Sequence, residues 1–361
     1  MSITTSLAAV NVTDLDRAAR RVHELPPIGL AELVERAALQ TRVDRKYVIP
    51  VGDLDGILAD IAALGGDTTG SHGTRSPGTR SPGSHGTRAP DTGARVLEME
   101  GIRDFRYESV YFDTPELTSY WMAARARRRR VKMRTRAYVD SSTAYLEVKT
   151  RGARSATVKD RLEYAFDDRA RLNHHGLDYI GETLDATGFD DIEPEALAPT
   201  LITRYRRTTL FVPGDEWQAE SRATIDTHLT WALGDAVRAA ATDAVTDALP
   251  GTVAGIPDAP GGSVGTPDAP GGSTGIPDAP GGSVDTPGIV IVETKSGARA
   301  SAVDRILWAH GHRPSTISKY GTGLAALKPE LTATKWSRTL RRHFAPATGA
   351  PLTSSRSPLA S

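Results

Sequence analysis

Charge in this sequence alternates with the period of a β-strand. From Val131 to Tyr138 the chain reads VKMRTRAY, with Lys132, Arg134 and Arg136 at every second position and Met133, Thr135 and Ala137 between them. Successive side chains of a strand point to opposite faces, so this segment, if extended, carries a row of cations on one face. The same parity recurs in Glu147, Lys149 and Arg151, in Lys159, Arg161 and Glu163, in Asp44 and Lys46, in Arg222, Thr224 and Asp226, and in Glu293 and Lys295. One such strand says little, because half-exposed antiparallel sheets present a polar face and edge strands favour Lys and Arg. Six such segments, mostly cationic when taken together and five of them with a single carboxylate, say more. If they close into a barrel, the opposite faces (Val131, Met133, Leu146, Val148, Ile225, Val290, Val292) pack on helices and the charges point into a lumen.

Converging Arg and Lys repel one another in a low dielectric unless an anion joins them. Arginine matches phosphate through its planar donor fork, and lysine adds a point charge. Carboxylates within such a basic tunnel suit Mg²⁺ or Mn²⁺, which take oxygen ligands and bridge phosphate oxygens. The residue pattern therefore predicts a site for a polyanionic phosphate with a divalent metal.

Two stretches stand outside this pattern. Residues 65–93 repeat Gly-Thr-Arg-Ser-Pro with almost nothing apolar, and residues 250–287 repeat Pro-Asp-Ala-Pro-Gly-Gly-Ser from Pro257, Pro267 and Pro277. Both read as low-complexity loop expansions that cannot repay the entropy of ordering. Helical spacing is expected around Leu30–Ala37, Leu54–Ile61, Leu177–Leu184, Ser301–His310 and Trp336–Phe344, with strands at Arg42–Ile49, through Val96–Phe166, and at Leu201–Val212, Glu220–Leu229 and Ile289–Thr294. The 361 residues divide into an N-terminal extension 1–27, a core 28–328 containing both inserts, and a C-terminal helix and tail 329–361.

The chain has 44 Lys and Arg and 44 Asp and Glu, a net charge of zero, which argues against nucleic acid as the partner. With no cysteine, disulfide scaffolds, thiolate metal sites and thiol nucleophiles are excluded. No apolar run spans a bilayer and residues 1–12 lack the features of a secretory leader, so a cytoplasmic location is expected, with at most a peripheral membrane partner. Ser318-Lys-Tyr-Gly-Thr-Gly323 lacks the order of a phosphate-binding Walker loop, and His174-His175 and His310-Gly-His312 lack partners at metal spacing.

An ordered set of motifs completes the reading: Asp44-Arg-Lys-Tyr47, Tyr111-Phe-Asp-Thr-Pro115 with Leu117 and Tyr120, Lys132-Met-Arg-Thr-Arg-Ala-Tyr138, Glu147-Val-Lys-Thr-Arg151, Tyr205-Arg-Arg-Thr208, Arg222-Ala-Thr-Ile-Asp-Thr227, Val292-Glu-Thr-Lys295 and Ser318-Lys-Tyr320. From about Gly29 to Leu327, skipping the inserts, this set resembles the VTC domain, the polyphosphate polymerase branch of the triphosphate tunnel metalloenzymes. The resemblance implies an α+β fold built on an eight-stranded antiparallel β-barrel tunnel flanked by helices. It also implies ATP or another nucleoside triphosphate as phosphoryl donor, polyphosphate or inorganic phosphate as acceptor, and Mn²⁺ or Mg²⁺ as cofactor. In the implied mechanism Arg134, Arg136, Arg207, Arg222 and Lys149 act on the transferred phosphoryl group, which moves without a covalent protein intermediate. Lys46, Lys132, Lys159, Arg161, Lys295 and Lys319 hold flanking phosphates, Glu293 anchors the metal, and Glu147 and Glu163 are auxiliary ligands. The hydrolase branch opens with Glu-x-Glu-x-Lys, whereas this chain has Arg42-Val-Asp44-Arg-Lys46, which favours the polymerase-like branch. A triphosphatase or polyphosphatase, or a non-enzymatic polyphosphate-binding module, are the alternatives.

Overall fold

The structure is a computed structural model that describes residues 3–36, 43–64, 93–151, 157–214, 220–234, 283–286, 288–331 and 333–344. It begins with α1 (Ile3–Glu24), β1 (Pro27–Ile28), α2 (Leu30–Arg36), β2 (Val43–Pro50) and α3 (Leu54–Ala62). Next come β3 (Arg95–Leu97), β4 (Phe105–Asp113), α4 (Thr118–Ala124), β5 (Arg130–Tyr138), β6 (Thr143–Arg151) and β7 (Thr157–Tyr164). The chain continues through α5 (His174–Thr187), β8 (Ala198–Val212), β9 (Ser221–Leu233), β10 (Ser283–Asp285) and β11 (Ile289–Ser296). It closes with α6 (Ala302–Ala309), α7 (Lys319–Leu327) and α8 (Ser337–His343). The insert expected at 65–93 lies outside the described residues except for Gly93, and that at 250–287 except for 283–286.

One mixed sheet runs β2-β11-β9-β8-β4-β5-β6-β7, and β1, β3 and β10 join it off this path. Every pairing is antiparallel apart from β1 with β3. The expected closed eight-stranded barrel is corrected on two counts: among the described residues the sheet has eleven strands, and its path is open. Closure requires the two outer edges to exchange ladder bonds, yet among the described residues β2 pairs only with β11 and β7 only with β6. Both edges carry charge, Asp44-Arg-Lys46 on one and Lys159, Arg161 and Glu163 on the other, which disfavours edge pairing.

The parity of each strand sorts its side chains as the alternation requires. Outward-facing Tyr47, Ile49, Ile225, Val290 and Val292 pack with Val22 of α1, Leu54, Ile57, Leu58 and Ile61 of α3, and Val303 and Leu307 of α6. Val131, Met133, Leu146 and Val148 pack on Ile180 and Leu184 of α5. Truncating one of these to Ala would cost about 2–5 kcal/mol. Asp304, fully buried, completes a capping box with Ser301 and accepts bonds from the Tyr47 hydroxyl (2.7 Å) and the Thr294 hydroxyl (2.6 Å), tying α6 to β2 and β11.

A third core lies on the other side of the sheet. There the inner face of several strands turns from charged to apolar: Lys46 gives way to Val48, Glu293 to Ile291, and Arg207 to Tyr205. These apolar positions, with Tyr111, Leu229 and Trp231, pack against Tyr120 of α4, Tyr320 and Leu324 of α7, and Trp336. The two glycines of Ser318–Gly323 make that packing possible. A Cβ on Gly321 would stand 2.1 Å from the Trp336 ring, and one on Gly323 2.6 Å from Trp231. No helix among the described residues is long and apolar enough to cross a membrane.

Candidate functional site

The remaining inner face surrounds a cavity of about 440 Å³. Ten of its lining side chains are cationic: Lys46 of β2, Lys132, Arg134 and Arg136 of β5, Lys149 of β6, Lys159 of β7, Arg207 of β8, Arg222 of β9, Lys295 of β11 and Lys319 of α7. Asp44, Glu293, Ser318 and the tyrosines Tyr107, Tyr111, Tyr138 and Tyr205 also line it, and Thr209, Thr224, Leu30, Leu33 and Leu97 complete the wall.

On the β5–β7 side a single carboxylate is buried among these cations. Glu147, 1% exposed, accepts on one oxygen from Arg134 Nε (2.9 Å) and Nη2 (2.7 Å), and on the other forms an ion pair with Lys159 Nζ at 2.7 Å. Burial alone would raise its pKa, but Arg134, Arg136 and Lys159 hold it well below the usual carboxylate range. Arg134 also donates to the Tyr111 hydroxyl at 3.1 Å. Lys132 and Lys149 are direct cross-strand partners. The charge of Arg134, then burial and Arg136, push Lys149 down to about 5, and burial, with Lys46 and Arg134 nearby, pushes Lys132 down to about 8. Lys132 Nζ bonds the Ser318 hydroxyl at 3.2 Å, while that hydroxyl accepts from the Gly321 amide and caps α7.

The β8–β9–β11 side is richer in carboxylates. Asp226, fully buried, accepts from Arg207 Nε (2.6 Å) and Nη2 (2.8 Å) and from Lys319. Burial opposes its ionisation, yet Arg207 and Lys319 bring its pKa to about 2. Glu293 pairs with Lys295 and lies 3.7 Å from Lys46; these two and Arg207 outweigh burial and hold it well below its ordinary value. Lys295 is also 3.6 Å from Asp44. Tyr107 stacks on Tyr205 with centroids 5.3 Å apart, and the Arg207 guanidinium sits 5.2 Å from each ring. Such cation–π contacts contribute roughly 0.5–2 kcal/mol each and fix the guanidinium plane.

The helix bearing Lys319 is held by a buried carboxylate at the end of β4. Asp113 accepts from the amides of Thr114 (2.9 Å), Ser119 (2.8 Å) and Tyr120 (2.9 Å) and from the Tyr320 hydroxyl. The Asp-Thr-Pro turn thus anchors both α4 and the start of α7.

Three of the sequence-derived site residues are not part of the cavity wall: Glu147 is buried behind it, and Arg161 and Glu163 lie outside it. Arg161 is exposed, its guanidinium 4.9 Å above the Tyr145 ring, and Glu163 is exposed as well. The structure brings in residues to which the sequence reading gave no role in the site: Asp226, Asp44, Ser318, Tyr111 and Tyr205, which stood in its motifs, and Tyr107, which did not. Asp226 belonged to the charged parity row of its strand, but its role as the shared counter-ion of Arg207 and Lys319 depends on two other elements.

The fit to a divalent metal can be tested on the donors. Among the described residues no three His, Cys, Asp or Glu side chains converge to hold an ion by themselves. Both oxygens of Glu147 and of Asp226 are engaged by guanidinium or ammonium groups. Glu293 is paired too, with Lys295 through one oxygen and with Lys46 at 3.7 Å through the other, but it and Asp44 line the cavity itself, on paired strands on either side of Lys295. One or two carboxylates with phosphate oxygens completing the shell is the donor set Mg²⁺ commonly takes, so these two fit a metal shared with a phosphate ligand.

The comparison with solved structures gives loose likenesses. A Bacillus halodurans protein assigned as an adenylate cyclase is 10% identical, with a TM-score of 0.36 over 77% of this chain and 94% of its own. A Hippeastrum protein assigned as an adenylyl cyclase, with a dominant triphosphatase activity, is 10% identical, with a TM-score of 0.35 over 81% of this chain and 100% of its own. Superpositions this loose carry nothing about chemistry. No curated protein sequence matches. The profile of the VTC domain, in contrast, matches residues 41–328, which include all ten cavity cations, and the chain belongs to the VTC domain family.

Proposed function

We propose that this protein is a polyphosphate polymerase-like phosphoryl transferase that binds a nucleoside triphosphate and a phosphate acceptor in the basic cavity. The observation that carries this reading is the imbalance of the wall: ten cations face two lining carboxylates and the buried Glu147 and Asp226 behind them. Such a surplus in a confined site is relieved by a ligand with several closely spaced negative charges. Phosphoryl transfer through a loose transition state asks the protein mainly for positioning and charge neutralisation.

In this reading Arg134 and Arg207 are the rigid elements, each locked by two guanidinium bonds to a buried carboxylate and by tyrosine contacts. Preorganised donors of this kind stabilise developing charge without reorganising during the reaction. Arg136, Arg222 and Lys149 act with them on the transferred group. Lys46, Lys132, Lys159, Lys295 and Lys319 hold flanking phosphates. Glu147 and Asp226 position the arginines, and Arg161 and Glu163 have no part at the wall. Asp44 and Glu293 would hold Mg²⁺ or Mn²⁺, which would supply further neutralisation of phosphate oxygens.

The test is incubation of the purified protein with ATP and Mn²⁺ or Mg²⁺, with products resolved on a gel stained for polyphosphate and free phosphate measured in parallel. A ladder of chains is the expected result. Phosphate without a ladder would transfer the same site to a triphosphatase, and tight polyphosphate binding with neither product would leave a binding module.

A further inference from the structure

On most strands the charged inner face stops where the α4–α7 aromatic packing begins, but on β5 and β6 it does not stop. One rung beyond Lys132 and Lys149 on the same face stand Arg130 and Arg151, again direct cross-strand partners. Two residues along a strand advance the ladder by about 7 Å, so the column from Arg136 to Arg130 extends for about 20 Å. Neither Arg130 nor Arg151 belongs to the cavity wall. A third cation comes from another part of the chain: Lys335, in the turn before α8, whose ammonium lies 4.9 Å above the Trp336 ring. Its charged neighbours are Arg130 and Arg151, which with burial lower its pKa, and Lys335 in turn lowers that of Lys132. Among the described residues no carboxylate pairs with Arg130, Arg151 or Lys335; Arg130 spends one donor on the Arg127 carbonyl at 3.0 Å. Lys335 also lies outside the residues matched by the family profile.

We infer that Arg130, Arg151 and Lys335 form an outer phosphate subsite through which a linear polyphosphate, longer than a triphosphate, leaves the cavity along the β5–β6 ladder. The inference rests on the functional reading above and adds direction to it. The chain passes between the sheet and the segment that carries Lys335, past the apolar packing that covers the same end of β2, β8, β9 and β11. Three cations from three elements, without a carboxylate among them, match a ligand that repeats its charge along its length. A compact triphosphate seated among Arg134, Arg136 and Arg207 does not reach them.

The experiment compares the binding of tripolyphosphate and of long-chain polyphosphate by isothermal titration. The proteins are wild type, the triple variant Arg130→Ala, Arg151→Ala, Lys335→Ala, and a charge control carrying Arg106→Ala, Arg171→Ala and Arg206→Ala, three exposed positions away from the ladder. Melting curves establish that each variant is folded. For the ladder variant, the affinity for long chains is expected to fall by about tenfold or more while that for tripolyphosphate stays within about twofold; the control should change both by less than about twofold. Equal losses for the two ligands, or equal losses in the control, would reduce the subsite to general electrostatics and overturn it. Loss of binding to anionic phospholipid vesicles with long-chain affinity intact would overturn it in favour of a membrane contact. Failure of wild type to bind tripolyphosphate would sink the functional reading itself, whereas tight tripolyphosphate binding with no ladder effect sinks only the subsite.

Discussion

The two walls of the cavity hold equal numbers of cations but unequal numbers of carboxylates. Along β5–β7, Lys132, Arg134, Arg136, Lys149 and Lys159 share Glu147 alone, whereas Lys46, Arg207, Arg222, Lys295 and Lys319 are set against Asp44, Asp226 and Glu293. The consequence shows in the lysines. Lys149, facing Arg134 and Arg136, is pushed down to about 5, while across the cavity Asp226 is brought to about 2 by its two cations. One wall is frustrated until an anion arrives, and the other is largely neutralised by the protein itself. In the proposed function, the poor wall is therefore the one where ligand phosphates would gain most, and the rich wall the one that holds the site together and would share a metal.

The largest test of this contrast is Asp226→Ala. It leaves Arg207 and Lys319 buried without their counter-ion, a change that typically costs about 3–5 kcal/mol. A clear drop in melting temperature is expected, partly recovered by tripolyphosphate; a variant as stable as wild type would remove the distinction between the walls. Glu293→Ala should leave the fold in place and reduce metal-dependent turnover by about a hundredfold, or about 2.7 kcal/mol of barrier, with polyphosphate binding kept or strengthened. Unchanged turnover and binding would show that the metal is held elsewhere.

Lys149 gives the contrast a pH dependence. Its folded pKa is lowered to about 5, so between that value and the ordinary lysine pKa of about 10.4 the unfolded state binds the extra proton and stability rises with pH. The slope is at most about 1.4 kcal/mol per pH unit. Lys149→Met should flatten it across pH 6–9 in denaturant titrations, and an unaltered slope would assign the proton to another group. The smallest effect is expected at Arg136, whose Nε is buried without a hydrogen-bond partner among the described residues. Arg136→Met should weaken tripolyphosphate binding by about fivefold while stability holds or rises by a few tenths of a kcal/mol. A substantial loss of stability would mean that the poor wall is not frustrated.

Much of this was legible along the chain because strand parity is local. Lys132, Arg134 and Arg136 face one way and Val131 and Met133 the other whatever the strand later pairs with, and the parity rows of β5, β6, β9 and β11 all appear in the structure as read. The helices around Leu54–Ile61 and Leu177–Leu184 were equally local. The short helix carrying Lys319 was not, because Gly321 and Gly323 weaken helical propensity and are explained only by the Trp336 and Trp231 rings lying against them.

The sequence by itself determined which side of each strand is charged, since that depends only on a period of two along the backbone. Tertiary structure decided how the charges are shared. Whether Glu147 serves Arg134 and Lys159, whether Asp226 joins Arg207 to Lys319, and whether the sheet's edges meet are set by register and by approach across tens to hundreds of residues. Those pairings are selected by the energy of the whole packed sheet, and no short stretch of chain contains it.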